Sequence, residues 1–533
     1  MDQRLVVCYE RETVKTTRYL WLSLVVFGLA FFYLPLITHI VRGLHPSTIR
    51  MVIREGYLSV LLYSLFQALI STIWACILGI PAAYIMMHHA FPARRVLQVA
   101  TILPFVMPVI LMVLGVVLIW GNNGIVNRLR ALIFPYSHTI SFLYRFSAIV
   151  IIHGLYNFGI IARLLVIGQS HIDKRQYEIG RLLGAKNWYL FRTVTLPQLF
   201  SALLLGASLV FLFCFTSFGV IMVLGGSPRY ATLEVSLFYA LKSFIQEDLA
   251  HGIASLQYVS VFFIWFLFLR KRLFHMPESM HSPIPIQRRT ISFFQKTFLL
   301  GYYFILIILL VLPLVAIVVF SFKTKWEGSF LLPLGVSLIV GLGSASFSLC
   351  MGIFVYIAQL WQSKKVASFL SQFVLLPLFA SPLVISMSYR GLFHYIGGQG
   401  KSLLLVIVVH GLLSLPFVFS ILSYEFRAQV PCLIDAGRSL GGSVGKVFFT
   451  IILPLSKKGI IIAGVFALAL SLGELNAALL LTPSRFPSIP VAIYRLIARY
   501  RIYQAAQMGI VLLLLAAILV YAIDTIAQRK TKL

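Results

Sequence analysis

The sequence predicts an all-α polytopic membrane protein with about twelve transmembrane helices in two parallel six-helix repeats. Three observations predict this fold class. Apolar residues make up 60% of the 533 residues and charged residues only 11%, against about 45–50% and about 25% in a soluble domain. The apolar residues fall into long stretches, and part of the first half recurs in the second half. This composition excludes an ordinary soluble enzyme, a disordered protein and a disulfide scaffold.

The apolar stretches give the expected spans, because a helix needs about 20 apolar residues to cross the hydrocarbon core. Their approximate limits are 19–41, 58–86, 97–120, 139–169, 198–225, 250–269, 297–321, 335–360, 368–390, 402–424, 458–482 and 505–527. The first stretch exceeds the core of a signal peptide, which is about 7–15 residues long, so we expect it to be retained. Neither the five cysteines nor the twelve histidines show a metal-ligand spacing, so we predict no metal and no cofactor.

Basic residues orient these spans. Lys and Arg number 44 against 15 Asp and Glu, and they lie mostly in short loops, which favours membrane orientation over nucleic-acid binding. With the N-terminus inside and alternating spans, inside segments hold 27 basic residues and outside segments 15. We therefore expect a multi-pass protein of the cytoplasmic membrane with both termini in the cytoplasm. The last outer loop, which carries four arginines, departs from the rule.

The two halves of the chain are related by an internal repeat. Residues 178–197 align without a gap on residues 435–454, at an offset of 257, and eight of the 20 aligned residues are identical. The same offset pairs His153 with His410. Equivalent residues then lie on the same side of the membrane, which predicts parallel repeats with a solute pathway between them. The alternative is a duplication that only enlarges the bundle.

The repeat also divides the chain into expected domains. These are a cytoplasmic tail at 1–18, a first span and outer loop at 19–56, the first repeat at 57–270, a cytoplasmic linker at 271–296, a seventh span and outer loop at 297–330, the second repeat at 331–528 and a cytoplasmic tail at 529–533.

Residues 178–197 and 435–454 are expected to form an inside loop in each half, named here the first loop and the second loop. Glu178 and Asp435 are expected near the start of a short helix, where the helix dipole favours negative charge. Gly184 and Gly441 allow a backbone with positive φ, and so a sharp turn between two short helices.

Large apolar side chains precede a proline in both loops. They are Trp188, Leu190 and Phe191 in the first loop and Val447, Phe448 and Phe449 in the second. Pro197 and Pro454 suit the first turn of the next helix, whose N–H groups have no partner. Because apolar groups are expected to be exposed in both loops at equivalent positions, we predict a docking surface for a two-fold partner. An amphipathic loop lying on the lipid interface is the alternative.

The two loops resemble the EAA loop, E-A-A-x-x-x-G-x9-I-x-L-P, of the integral-membrane permeases of binding-protein-dependent ABC importers, which have the type I permease fold. Both loops match at the glycine, the nine-residue spacing, the aliphatic residue and Leu-Pro. The two alanines do not match fully, since Ile179-Gly180 stand there in the first loop and Ala436-Gly437 in the second. The resemblance implies that both loops insert into separate ATP-binding subunits, two copies in all, and transmit ATPase closure. The residues implied are Glu178, Gly180, Arg181, Gly184, Pro197, Asp435, Gly437, Arg438, Gly441 and Pro454.

A narrower resemblance concerns residues 215–235, FTSFGVIMVLGGSPRYATLEV, and 470–481, LSLGELNAALLL. Both segments resemble the fused double permeases for thiamine and for ferric iron. The LGG-x-P…ATLEV stretch and residues 493–501, IYRLIARYR, are more similar to the thiamine type. The resemblance implies import of thiamine or its phosphates, with ferric iron as the alternative, after delivery by an extracytoplasmic binding protein.

The sequence contains no ATP site of its own. The segment GGQGKS lacks the glycine that a P-loop requires five residues before Gly400, where Tyr395 stands. We therefore expect a non-catalytic subunit that works in the lipid bilayer with separate ATPases and binds no nucleic acid. An ion-coupled secondary transporter is the rival from another class, but it usually requires several intramembrane acids. No nucleophile, metal site or acid–base cluster supports a membrane enzyme.

Glu474 is the acid that lies well inside an apolar stretch and far from a chain end. Either it lines the pathway and meets a cationic solute, or it has a structural role, capping a broken helix at Gly473 or pairing internally. Further pathway candidates are Asn476, Thr216 and Ser217, the last being the repeat counterpart of Glu474.

Four outer arginines form the remaining candidate site. We expect Arg485, Arg495, Arg499 and Arg501 to contact acidic surfaces of the binding protein. The alternative is contact with lipid phosphates.

Overall fold

A computed structural model describes twelve ranges of the chain and six single residues. The ranges are 33–88, 107–134, 138–140, 142–170, 174–225, 229–242, 247–264, 293–326, 330–360, 362–395, 402–428 and 431–528, and the single residues are 23, 26, 28, 101, 172 and 266. Throughout these ranges the backbone forms helices and turns and no β-strand. The all-α class is therefore confirmed.

Eleven α-helices are described in the first half, after helical residues 33–43. They are α1 (Pro46–Arg54), α2 (Tyr57–His88), α3 (Val109–Trp120), α4 (Ile125–Ile133), α5 (Phe146–Ser170), α6 (Lys174–Leu182), α7 (Asn187–Leu190), α8 (Leu196–Phe215), α9 (Gly219–Leu224), α10 (Leu233–Lys242) and α11 (Glu247–Ile264). A π-helical turn, Phe191–Thr195, joins α7 to α8.

Twelve more α-helices are described in the second half. They are α12 (Phe293–Ser321), α13 (Leu331–Leu360), α14 (Lys364–Leu375), α15 (Pro382–Tyr395), α16 (Leu403–Ala428), α17 (Pro431–Ser439), α18 (Val444–Val447), α19 (Leu453–Leu455), α20 (Lys457–Gly473), α21 (Asn476–Leu481), α22 (Ile489–Ala498) and α23 (Ile502–Gln528). A 3-10 turn, Leu376–Phe379, follows α14, and a second π-helical turn, Phe448–Ile452, joins α18 to α19.

Eight helices of the described ranges are long and apolar enough to cross a membrane. They are Tyr57–Met87, Val109–Ile133, Phe146–Gln169, Trp188–Phe215, Leu299–Ser321, Leu331–Gln359, Leu403–Phe426 and Ile502–Ile523. Two bent pairs raise the number to ten: Lys365–Leu378 with Pro382–Gly391, bent by 97°, and Gly445–Leu455 with Lys457–Gly473, bent by 73°. The predicted spans 19–41 and 97–120 lie partly outside the described residues. The helix α11, at the predicted span 250–269, begins with two acids and is not among the ten.

The sequence repeat is also a repeat of structure. At the offset of 257, α6 corresponds residue for residue to α17, α7 to α18, and α9 to α21. In the first half α2, α5 and α8 pack against one another, and in the second half α13, α16 and α20 do the same.

Glycines allow this packing at equivalent places. A Cβ on Gly154 would overlap the Trp74 ring, and a Cβ on Gly411 would lie 2.5 Å from Phe347 Cδ1. The residues His153-Gly154 and His410-Gly411 recur in the sequence because both helices approach a neighbour this closely.

The helices form two compact units. One unit comprises Pro46–Glu327 and Ile493–Leu513, and the other comprises Met1–His45, Gly328–Ala492 and Leu514–Leu533. Helical residues 33–43 therefore pack with the second repeat, where the Tyr33 hydroxyl donates a hydrogen bond to the carbonyl oxygen of Phe373 at 2.6 Å. The helix α12 instead packs on α3 of the first repeat.

Candidate functional site

The turn in each loop has the same backbone geometry. Gly184 and Gly441 have φ of +79° and +77°, the left-handed region that favours glycine. In the first loop the N–H of Ala185 donates to the carbonyl oxygen of Gly180 at 2.9 Å. In the second loop Gly442 and Gly437 make the equivalent bond at 3.0 Å. These are Schellman caps, which satisfy carbonyl groups at the end of a helix.

The two acids do not lie where the sequence analysis placed them. Glu178 is the fifth residue of α6 and Asp435 the fifth residue of α17, and neither helix has an acid in its first turn. The expectation of a dipole interaction at the helix start was wrong, because both helices begin four residues earlier. Glu178, Arg181 and Asp435 are instead exposed on the loop surface.

The prolines lie just after the π-helical turns. Pro197 is the second residue of α8 and Pro454 the second residue of α19. Proline has no N–H and its ring clashes with the carbonyl group four residues earlier. The π turns widen the backbone at this point, with the N–H groups of Leu196 and Leu453 bonding five residues back. The first loop thus continues as helix into the following apolar segment, whereas the second loop is separated from α20 by a bend of 73° at Ser456.

The apolar groups of the loops divide into buried and exposed sets. Leu190, Val447 and Phe448 are buried, which corrects the expectation that they are exposed. A Cβ on Gly180 would overlap the Leu190 side chain, so the first loop folds tightly over it. The exposed set contains Trp188, Phe191 and Phe449, and the sequence analysis missed six more members: Ile179, Leu182, Leu183, Tyr189, Leu196 and Leu440.

Exposure of this apolar set is large. Leu182 is 87% exposed, Leu440 is 89% exposed and Trp188 is 69% exposed. A groove of about 530 Å³ opens on the first loop beside Gly184 and Tyr189. Exposed apolar patches of this kind mark surfaces that bind another protein or a membrane, so docking of a partner stays a prediction beside the lipid alternative.

A second pair of equivalent features consists of helix breaks. The helix α8 ends at Phe215 and α9 begins at Gly219, while α20 ends at Gly473 and α21 begins at Asn476. The candidates Thr216 and Ser217 lie in the first break and Glu474 in the second. Thr216 uses its hydroxyl to donate to the carbonyl oxygen of Leu212 at 2.9 Å.

A buried histidine lies beside the break in the first unit. His153 of α5 is only 2% exposed. Its Nε2 lies 2.9 Å from the hydroxyl of Ser217, and its Nδ1 lies 2.8 Å from Nε2 of Gln67 on α2. His153 therefore links α2, α5 and the break. The sequence analysis noted its repetition but assigned it no role, because the spacing gives no indication of these partners.

The second unit has the equivalent histidine with different partners. His410 of α16 is also 2% exposed, and its Nδ1 lies 2.9 Å from the hydroxyl of Ser471 on α20. Its Nε2 has no hydrogen-bond partner within the described ranges.

Glu474 is half-buried and caps α21. Its Oε1 accepts hydrogen bonds from the N–H groups of Asn476 at 2.9 Å and Ala477 at 3.2 Å. This geometry matches the capping alternative considered for the sequence. Contact of Glu474, Asn476, Thr216 or Ser217 with solute stays a prediction.

The outer arginines lie around the two ends of α22. Arg485 is exposed before the helix, Arg495 is half-buried near its end, and Arg499 and Arg501 are exposed after it. Burial and the neighbouring charge of Arg499 lower the pKa of Arg495. Tyr500, with φ of +59°, is strongly exposed between two of these arginines. The surface is cationic, and its partner stays a prediction.

Residues 75–274 match the family described as the binding-protein-dependent transport system inner membrane component. This range contains the first loop, and the second loop repeats its turn, its π turn and its proline. Together with the apolar helices, the match confirms the resemblance. The chain is a multi-pass membrane protein, and its residues 75–274 form a permease domain of the binding-protein-dependent type.

Thiamine transport system permease proteins are among the relatives that align along most of the chain. The one from Haemophilus influenzae is 28% identical over 484 residues, covering 88% of this chain and 89% of the relative. The one from Escherichia coli is 25% identical over 500 residues, covering 90% and 91%. A sulfate transport system permease protein from Synechocystis is 27% identical over 215 residues, covering 40% of this chain and 75% of that protein.

Proposed function

We propose that this permease imports thiamine, or its phosphates, into the cytoplasm. The observation that carries the proposal is similarity to thiamine permeases along nearly nine-tenths of both chains. A single chain of this length, with two loops of the same geometry, supplies both halves of the permease.

In the proposed cycle, an extracytoplasmic binding protein delivers the solute to the outer face. Two copies of an ATP-binding subunit bind the first and second loops on the cytoplasmic face. Closure of these subunits on ATP moves the loops and switches access of the pathway from one side to the other. The exposed apolar set around Leu182, Trp188 and Leu440 supports this assignment, because burial by a partner removes the cost of exposing it.

In this assignment both termini and the linker 271–296 face the cytoplasm, as the distribution of basic residues predicts. The protein is the non-catalytic subunit of its importer, and ATP hydrolysis occurs in the bound ATPases.

Uptake of radiolabelled thiamine tests the proposal. The permease, its ATP-binding subunit and the binding protein are reconstituted in liposomes that contain ATP. We expect thiamine uptake that requires all three proteins, and no uptake of ferric iron in a parallel sample. Uptake of ferric iron alone contradicts the assigned solute.

A second sample contains this chain without the ATPase and is given an ion gradient. We expect no accumulation of thiamine there. Accumulation under the gradient supports a secondary transporter and contradicts the importer mechanism.

A further inference from the structure

His410 is one of the buried polar groups of the described residues that the proposed cycle does not use. Its first-repeat equivalent, His153, has partners on both ring nitrogens. The two histidines occupy equivalent positions on α5 and α16, so their difference lies in the partners and not in the fold.

The hydrogen bonds of the first unit fix the protonation of His153. The amide nitrogen of Gln67 is a donor, and it lies 2.8 Å from Nδ1 of His153. Nδ1 therefore accepts, and Nε2 carries the proton that it donates to Ser217 at 2.9 Å. Both ring nitrogens of His153 are used within the unit.

In the second unit a chain of hydroxyls fixes the opposite tautomer. Ser344 donates to the carbonyl oxygen of Val340 at 2.6 Å, and Ser471 donates to Ser344 at 3.4 Å. Ser471 has then no proton left for His410, so it accepts a hydrogen bond from Nδ1–H of His410 at 2.9 Å. Nε2 of His410 is therefore left as an acceptor without a partner. The residue is only 2% exposed, so this nitrogen is buried.

The bond to Ser471, three residues before Glu474, places His410 near the break that follows α20. In the first unit the equivalent nitrogen bonds Ser217, in the break between α8 and α9. The residue equivalent to Ser217 is Glu474, in the break between α20 and α21. The hydrogen bonds of Glu474 both use Oε1, which leaves Oε2 for another donor. Nε2 of His410 makes no hydrogen bond to Glu474 or to any other described residue, so both groups are left for a ligand.

We propose that His410 and Glu474 form a contact site for the transported solute at the break between α20 and α21. Nε2 of His410 accepts a hydrogen bond from an N–H group, and Glu474 provides negative charge for a cation. Discontinuous helices form the solute sites of secondary transporters, and we extend the same argument to the helix break of this permease. The ligand class is a cationic heterocycle that carries an amino group. Thiamine, with a thiazolium ring and an aminopyrimidine ring, belongs to this class, and to that extent the site rests on the proposed function.

The test compares thiamine with its analogue in which the pyrimidine amino group is replaced by a carbonyl oxygen. Uptake of each is measured with the complete reconstituted importer, and the preference is the ratio of the two KM values. The same binding protein is used throughout, so its own selectivity cancels between permease variants.

The variant His410→Leu removes the acceptor, and His410→Gln places an amide oxygen near the position of Nε2. We expect His410→Leu to lower the preference about tenfold and His410→Gln to retain most of it. The matched control is His153→Leu, which changes the equivalent residue. We expect this control to lower the amount of folded protein and leave the preference unchanged.

Glu474→Gln keeps an oxygen that caps α21 and removes the charge, and we expect it to raise the KM for thiamine about tenfold. If His410→Leu does not fold, the KM of Glu474→Gln still tests the proposed solute site. Three results would each overturn the site. The first is a wild-type preference for thiamine in His410→Leu, and the second is an equal loss of that preference in His153→Leu. The third is an unchanged KM for thiamine in Glu474→Gln. If the wild-type importer takes up no thiamine, the proposed function fails and the site fails with it. If the wild-type importer takes up thiamine and the variants behave like the wild type, only the site is wrong.

Discussion

The N–H of Ala185 donates a hydrogen bond to the carbonyl oxygen of Gly180 at 2.9 Å, and this bond closes the turn of the first loop. Gly184 lies inside the closed turn with φ of +79°. The second loop closes in the same way, so both surfaces that we propose for ATPase contact are presented by the same turn. Four predictions follow from this turn and from the surfaces described above.

The first prediction concerns the positive φ of Gly184. A Cβ there meets nothing within 4 Å, so a substitution acts through backbone strain alone. The left-handed conformation costs a β-branched residue about 1–2 kcal/mol and is tolerated by asparagine. We expect Gly184→Val to reduce solute-stimulated ATPase activity several-fold and Gly184→Asn to retain it.

The control for this prediction is Gly445→Ala. Gly445 is as open as Gly184 but does not have a positive φ, so its substitution is expected to have no effect. If Gly184→Val couples as well as wild type, the turn does not transmit ATPase closure.

The second prediction concerns the exposed apolar groups of the first loop. Leu182→Lys and Trp188→Lys place a charge where a partner is expected to bury an apolar side chain. We expect each to weaken binding of the ATPase subunit at least tenfold, measured by co-purification and by titration in detergent. Lys186→Ala, an exposed polar residue of the same loop, is the control and should bind normally. Full binding by Trp188→Lys contradicts the docking surface.

The third prediction concerns the close packing of α5 on α2. Gly154→Ala forces a methyl group into the ring of Trp74, and overpacking of this kind costs about 1–3 kcal/mol. We expect a lower Tm of the detergent-solubilised protein. Gly301→Ala is the matched control, because a Cβ on Gly301 of α12 meets nothing within 4 Å. Equal Tm values for the two variants contradict the packing.

The fourth prediction concerns the cationic surface after α22. Arg499→Glu and Arg501→Glu reverse charges that are exposed. If the partner is an acidic face of the binding protein, association slows about tenfold at low salt, and the difference disappears near 1 M salt, where the Debye length is about 3 Å. Stopped-flow association with labelled binding protein measures this. If the arginines contact lipid phosphates instead, the association rate does not change.

Much of the chain could be predicted from residues that are near one another in sequence. The apolar stretches gave most spans, and the glycines of the two loops gave turns with positive φ. The positions of Glu178 and Asp435 within their helices were wrong, because helix starts are weakly specified and both helices begin four residues earlier.

The candidate site was predicted less completely. The spacing of Leu190 and Phe448 does not show that the loop folds over them. Nor does it reveal that Ser217 bonds a histidine 64 residues away. Such contacts depend on which helices become neighbours.

The sequence by itself determined the membrane class, the internal repeat and the two turns, because composition, spacing and glycine conformation are properties of the local chain. Only the tertiary structure decided that residues 33–43 pack with the second repeat and α12 with the first. It also decided that Nε2 of His153 has a partner while Nε2 of His410 has none. The physical reason is that burial and hydrogen bonding depend on groups brought together from distant parts of the chain.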